Sequence, residues 1–296
     1  MKKYSIYKFV SVLLVAFSAT SCLPDPIDID IAPAPVKLVI TSQIVPGQTM
    51  IVGLTRSFSA LSDGANQDTI TSNFTDSILV ENAIVTVDHP GGTDTLFMIA
   101  PGIYASITVL LNNYGSYTLH AFDPATNLSI TATTQLMPTI IPDSVSPYFD
   151  YQPGDTNLFV HYEMTDFPSE ENFYVVNFYR KNTDTSSSFD PNTYFQQGQN
   201  QLNGFDLITE TDFDQNGRLV RNRELEGIGY NDTIAVTISH ITKGYYEFLT
   251  AYKRSGSLIN QLTGEPINFP TNVQGGYGYF NAHFPSVRIF ELVDYH

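Results

Sequence analysis

The chain has 296 residues, with 30 acids against 14 lysines and arginines, and a formal net charge of −16. That excess of carboxylates argues against nucleic acid or an anionic membrane surface as partner, because neutralising phosphates needs clustered Lys and Arg. Apolar residues make up 42%, including 20 Phe and 18 Tyr, while only 15% are charged. Real cores are therefore affordable, and a Thr, Ser, Asn and aromatic-rich surface suits pleated sheet better than helix.

The first element is a processing signal. Lys2, Lys3 and Lys8 form a basic start, Phe9 to Phe17 a short apolar run, and Ser18, Ala19, Thr20 and Ser21 lead into Cys22, the only cysteine. The run is shorter than the about 20 residues that span a bilayer. The arrangement is that of a bacterial lipoprotein signal peptide, residues 1–21 being removed and Cys22 carrying diacylglycerol. The competing reading is a plain secretory signal with an incidental thiol, since Ala19 stands where leucine is commoner. An unpaired thiol in an exported chain calls for a special role, however, and acylation supplies one. Each buried acyl methylene is worth about 0.8 kcal/mol. Cleavage removes three lysines and no acid, leaving the mature chain at −19.

Residues 22–36 are rich in Pro and Asp and read as an extended tether. At about 3.1 Å per residue it could hold the body roughly 40 Å from the lipid. Asp25, Asp28 and Asp30 resemble the acidic surface-export signal of Bacteroidota lipoproteins, or serve as an ordinary solvated linker.

From Val36 short alternating runs take over: Leu38–Ser42, Ile51–Thr55, Ile78–Val80, Ile84–Val87, Leu96–Ile99, Tyr104–Val109, Tyr117–Phe122 and Ser129–Thr134. Turn residues such as Pro46-Gly47, Pro90-Gly91-Gly92 and Asn112-Asn113 separate them. Such spacing predicts an Ig-like antiparallel β-sandwich over residues 37–138, and Pro138 and Pro142 bracket a boundary. A second β-rich (α+β) domain is expected over 139–296, with strands at Leu158–Met164, Tyr174–Tyr179, Ile234–Ser239 and Val287–Leu292. The polar stretch Asn182–Asn203 reads as a surface excursion. Tyr245, Phe248, Leu249 and Tyr252 recur at helical spacing, with Lys253 and Arg254 in the last turn and Gly256 beyond, which predicts one amphipathic helix near 242–256.

Taken in order, several of these landmarks resemble the domain-of-unknown-function 4249 family of Bacteroidota cell-envelope lipoproteins. The residues that carry the resemblance are the lipobox and its acidic tail, Lys37–Ile40, Val52–Ser57, Glu81–Val87, Gly102–Tyr104, Tyr114–Leu119, Glu170–Tyr174, Gly244–Leu249 and Pro270–Phe280. The resemblance spans nearly all of the mature chain. It implies an accessory partner of TonB-dependent outer-membrane transporters and supplies no catalytic residue.

Candidate chemistry is sparse. Asp212, Asp214 and Asn216 open a D-x-D-x-N-G pattern that resembles a calcium loop, but the twelfth position is Arg223 rather than a bidentate Glu, and a plain turn uses the same residues. Gly275-Gly276-Tyr277-Gly278 lacks the helix that a phosphate loop requires, so its glycines are better read as permitting close backbone approach. The six histidines show no metal spacing, no G-x-S-x-G elbow occurs, and a glycosidase carboxylate pair has no positive support. Aromatics in polar stretches (Tyr148, Phe149, Tyr151, Tyr194 and Phe195) are candidates for a glycan or peptide ligand. Asp followed by Thr or Ser and an aliphatic residue marks Thr69, Ser77, Thr95, Ser144 and Thr233 as candidates for O-glycosylation or, equally, turns entering strands.

The expectation is an outer-membrane lipoprotein without enzymatic activity or a cofactor beyond its lipid, one that assists a TonB-dependent transporter and is displayed at the envelope or cell surface. The alternatives are a fimbrial or adhesin subunit, matured by cleavage after Arg56, and a glycan-binding protein or hydrolase.

Overall fold

Alternation of apolar and polar residues is realised as sixteen strands and one helix in the computed structural model, which describes residues 34–45, 49–58, 77–108, 114–152, 155–167, 171–181, 201–255 and 269–295. In chain order these are β1 (Leu38–Val45), β2 (Thr49–Arg56), β3 (Ile84–His89), β4 (Gly92–Ala100), β5 (Ile103–Ser106), β6 (Gly115–Asp123), β7 (Leu128–Leu136), β8 (Ser144–Gln152) and β9 (Asp155–Thr165). There follow β10 (Phe173–Arg180), β11 (Gln201–Thr209), β12 (Arg218–Leu225), β13 (Thr233–Ile241), α1 (Lys243–Ser255), β14 (Val273–Gln274), β15 (Tyr277–Tyr279) and β16 (Ser286–Glu291). Residues 35–296 cluster as one unit.

The mostly-β class with one helix is as expected, but the first half is not two separate facing sheets. Its strands form one nine-stranded sheet ordered β14-β7-β6-β3-β4-β5-β2-β1-β15. Strand β4 explains the continuity. Its first residues pair with β3, from His89↔Gly92 to Val85↔Leu96, and its last pair with β5 from Phe97 onward, across a bulge between Met98 and Ala100. A bulge adds local twist and bends the strand, so β4 passes from one layer to the other.

The two ends of the sheet, β14 and β15, are adjacent in sequence. Val273 pairs with Ala132 of β7, and Tyr277–Tyr279 run parallel to Val39–Thr41 of β1. Only Gly275 and Gly276 separate them, so the sheet is nearly closed into a barrel and its exposed edges are short. The core inside is built from alternate residues of every strand, among them Leu38, Ile40, Val52, Leu54, Val85, Val87, Leu119 and Ile130, and is completed from the late segment by Val273, Phe280 and Ala282.

One ion pair locks this sheet. Asp123, with no exposed side-chain surface, accepts from Arg56 Nε at 2.9 Å and Nη2 at 2.7 Å, and from Ala125 N and Thr126 Oγ1. Burial would raise its carboxyl group's pKa, but the hydrogen bonds from Thr126 and Arg56 outweigh burial and hold it below the usual range.

The second half is built from two further sheets, a four-stranded one ordered β11-β10-β13-β16 and a three-stranded one ordered β12-β9-β8. Leu158, Val160, Tyr162 and Met164 of β9 meet Tyr174, Val176, Phe178, Ile234, Val236 and Ile238 across the interior. The opposite face of the four-stranded sheet is covered by α1, where Tyr245, Tyr246 and Leu249 pack on Phe173, Val175, Phe205 and Ile241. Cover on both faces is why β10 and β13 read as nearly unbroken apolar runs.

Local expectations meet three corrections. Ser77 and Ile78 form a helical turn and Leu79 makes a single bridge to Thr55, in place of a strand over Ile78–Val80. The supposed excursion ends early, because Gln201 begins β11. Tyr148, Phe149 and Tyr151 lie on strand β8 rather than in a polar loop, and Phe149 is buried.

Candidate functional site

Two surface features stand out from this scaffold. The first is a cleft of about 470 Å³ where the open end of β6 and β7 meets the start of α1 and the closing segment. Ser116, Thr133, Thr134 and Gln135 supply one side, Thr242, Gly244 and Tyr279 the other.

Each wall follows from local sequence. Strand β14 is only two residues long, so beyond Ala132 no strand covers the β7 edge, and Asn272 Nδ2 donates instead to the Thr133 carbonyl at 2.8 Å. Thr242 precedes the helix and accepts from Tyr245 N at 3.4 Å through its hydroxyl, the role of an N-cap. Gly244 has to be small, because a β-carbon there would overlap the Tyr279 hydroxyl. The Tyr279 ring lies 5.4 Å from Tyr245 and 5.2 Å from Phe248, and its hydroxyl bonds to Thr242. Burial holds that phenol above its ordinary range.

Behind this wall the ring of His283 stacks on Tyr245 at 6.1 Å, and Asn281 Nδ2 lies within hydrogen-bond distance of His283 Nδ1. Burial among these groups pushes the imidazole down to about 4, so it is neutral at ordinary pH. Thr134 is the unusual member of the lining. It is 6% exposed, yet its hydroxyl has no hydrogen-bond partner. A buried hydroxyl left unmatched costs about 1–3 kcal/mol.

The second feature is an apolar outer face on the nine-stranded sheet. Ile84 of β3 and Phe97 of β4 flank the inward Val85↔Leu96 pair on outward positions, and Phe97 pairs with buried Ala105 of β5, which pairs with half-buried Ile51 of β2. Phe97 is 70% exposed and Ile84 59%. Ile99 at the bulge, Ile103, and Ile107 just past β5 extend the face, all exposed. Toward the hairpin it ends in polar pairs, Thr86↔Thr95 and Asp88↔Thr93. Monomeric proteins seldom show contiguous apolar surface of this kind without using it.

The residues singled out from sequence do not converge. Cys22, Thr69, Tyr194, Phe195 and His296 lie outside the described residues. Thr95 is exposed beside Phe97's face, Ser77 is exposed, and Ser144 and Thr233 are half-buried in β8 and β13. Asp214 Oδ1 accepts from Asn216 N at 2.8 Å and Arg218 N at 2.9 Å, which is turn geometry. Asp212 pairs with Arg221 and accepts from Thr209 N, so these oxygens serve the scaffold. Among the described residues, no group of three or more His, Cys, Asp or Glu side chains gathers in a metal-binding arrangement. His89, His120 and His161 each engage an acid on a nearby strand position: Asp94, Asp88 and Glu163.

Tyr148 stacks on Phe159 at 5.6 Å on the outside of the three-stranded sheet, while Tyr151, on the same strand face as buried Phe149, stacks at 6.3 Å on Tyr230, which also packs on Phe149. The cleft and the apolar face went unnoticed in the sequence for one reason. Both depend on which strands become neighbours, and no local pattern encodes that.

A model of the family described as "Domain of unknown function (DUF4249)" matches residues 24–286, and the chain belongs to that family. No curated protein matches. Among solved structures, one similar chain belongs to a cytokine receptor complex, at 10% identity and a TM-score of 0.23, over 70% of this chain and 86% of that one. Another is a mutant of Salmonella alpha-2-macroglobulin, at 13% identity and a TM-score of 0.22, where 88% of this chain spans 15% of the other.

Proposed function

From DUF4249 membership and the outer face just described, we propose that the protein is a non-enzymatic accessory subunit of the outer membrane. It is tethered through diacylglycerol on Cys22 and docks on a partner protein of a TonB-dependent uptake system. The carrying observation is the exposed apolar group Ile84, Phe97, Ile99, Ile103 and Ile107 on the outside of a sheet whose inner face is already fully packed. The strong net negative charge turns this face away from anionic lipid and toward protein. The lipobox and the Pro/Asp-rich tether support attachment at a distance that lets the body reach a neighbouring membrane protein.

A fimbrial role fits less well, because it requires cleavage after Arg56. That residue sits at the end of β2 with its guanidinium held by Asp123 and the Leu79 carbonyl. The test is a photo-crosslinker placed at position 97 in intact cells. Recovery of an outer-membrane barrel protein supports the accessory role. Self-crosslinked ladders, or the absence of any adduct, would overturn it. Globomycin treatment checks the anchor separately, since an unprocessed, heavier precursor should accumulate.

A further inference from the structure

We propose that the cleft between the open end of β6–β7 and the start of α1 binds a neutral, hydroxyl-rich ligand, a short saccharide. This goes beyond the docking role and stands on separate residues. The lining offers what a sugar needs: the hydroxyls of Ser116, Thr133 and Thr242 both donate and accept, the Gln135 amide does both from different atoms, and Tyr279 adds an aromatic wall. Ser116 and Gln135 are direct cross-strand partners, so their polar groups are held side by side on rigid strands. Thr134 alternates with Thr133 and Gln135 along β7 and turns its buried hydroxyl to the core side, opposite Tyr117, so it contributes backbone rather than a polar group to the cleft.

Charge selects a neutral ligand. Among the described residues that line the cleft, none is charged. Lys243, between Thr242 and Gly244, is turned away, its Nζ held by Glu171 Oε2 at 3.0 Å and lying 5.7 Å from the Phe173 ring centre. Glu247 is near enough to act on the Tyr279 phenol, which weighs against uronates despite the helix start. Geometry also disfavours an added peptide strand, because the Thr133 carbonyl on the β7 edge is already occupied by Asn272. The volume of about 470 Å³ falls within the ordinary range of small-ligand sites.

The test is an array of neutral gluco-, manno- and xylo-oligosaccharides, with uronate oligosaccharides and extended peptides as contrast arms, probed with the full chain and followed by calorimetry. A neutral oligosaccharide should bind. Gln135→Ala should weaken it about tenfold and Ser116→Ala, its exposed cross-strand partner, several-fold. Both variants should melt no lower than the parent. The inference is overturned if no saccharide binds, if uronates or peptides bind in preference, or if the variants bind the neutral hit as tightly as the parent.

Discussion

Gly278 lies against Ile40, its register partner in the parallel β1–β15 pairing, so closely that a β-carbon on Gly278 would overlap the Ile40 carbonyl oxygen. Gly276 meets the Leu38 carbonyl in the same way. These two glycines are where the nine-stranded sheet is drawn shut.

Replacing Gly278 with Ala should therefore do far more than remove backbone freedom. The expected loss exceeds about 3 kcal/mol, since the obstructing atom is backbone and the strand must move. Gly217→Ala is the control. Its φ is +72° but open space surrounds it, so only the left-handed backbone penalty of about 1–2 kcal/mol applies. Urea midpoints measure both, and equal losses would mean that the closure is not as described.

Asp123→Ala should cost about 3–5 kcal/mol, because it strands the Arg56 guanidinium and uncaps the Ala125–Thr126 turn. The carboxyl group's lowered pKa fixes the sign of the pH effect. Its contribution is fully present above the ordinary value of 3.8 and is lost as pH falls through the lowered folded value. In acid unfolding, the gap between the parent and Asp123→Ala should narrow toward low pH.

His283 acts in the opposite pH window from a paired histidine. Folded, it titrates near 4 instead of 6.5, so between those values the unfolded chain binds a proton that the native one refuses. Stability should rise with pH across that interval, with about 2 kcal/mol lost between pH 7 and pH 5. His161, raised mainly by its hydrogen bond to Glu163, contributes with the reverse sign, present below 6.5 and lost as pH climbs. Comparing the parent with His283→Asn isolates the first effect, and an unchanged slope would refute it.

Phe97→Ser should leave the unfolding free energy within about 0.5 kcal/mol of the parent, as an exposed substitution does. With the photo-crosslinker moved to exposed position 99 in this variant, the partner adduct should disappear. Loss of the fold together with the partner would show that the face is structural.

Asp214→Ala should lower the melting midpoint only slightly, since its two backbone donors lie in an exposed turn where water replaces the carboxylate. Millimolar calcium should shift the melting midpoint of neither form. A calcium-dependent rise in the parent alone would restore the metal reading of this loop.

How far the sequence could be read depended on how locally each feature is encoded. The helix was legible because Tyr245, Phe248 and Leu249 share one face, and α1 occupies Lys243–Ser255. Strands covered on one side, such as β6 and β7, announced themselves by alternation. Strand β12 did not. Its inward positions include Arg221 and Arg223, whose charges are met by Asp212 on the turn after β11 and Asp206 on β11, and such long-range partners leave no trace in a short window. The glycines of residues 275–278 read locally as points of close approach, and so they are, yet nothing nearby says that the approached backbone is β1. The cleft was hidden for the same reason, since Thr134 and Tyr279 meet only through that closure.

Synthesis delivers this chain from its N-terminal side, and the closing strand β15 emerges long after the β1 it covers. β1 has to wait roughly 240 residues for Tyr277–Tyr279 to emerge and cover its outer side. Contacts so distant in sequence slow folding and leave an adhesive edge uncovered meanwhile. Truncation just before residue 273 should therefore leave a barrel that cannot seal, with the outer edge of β1 and the free edge of β7 both open to unintended strand pairing.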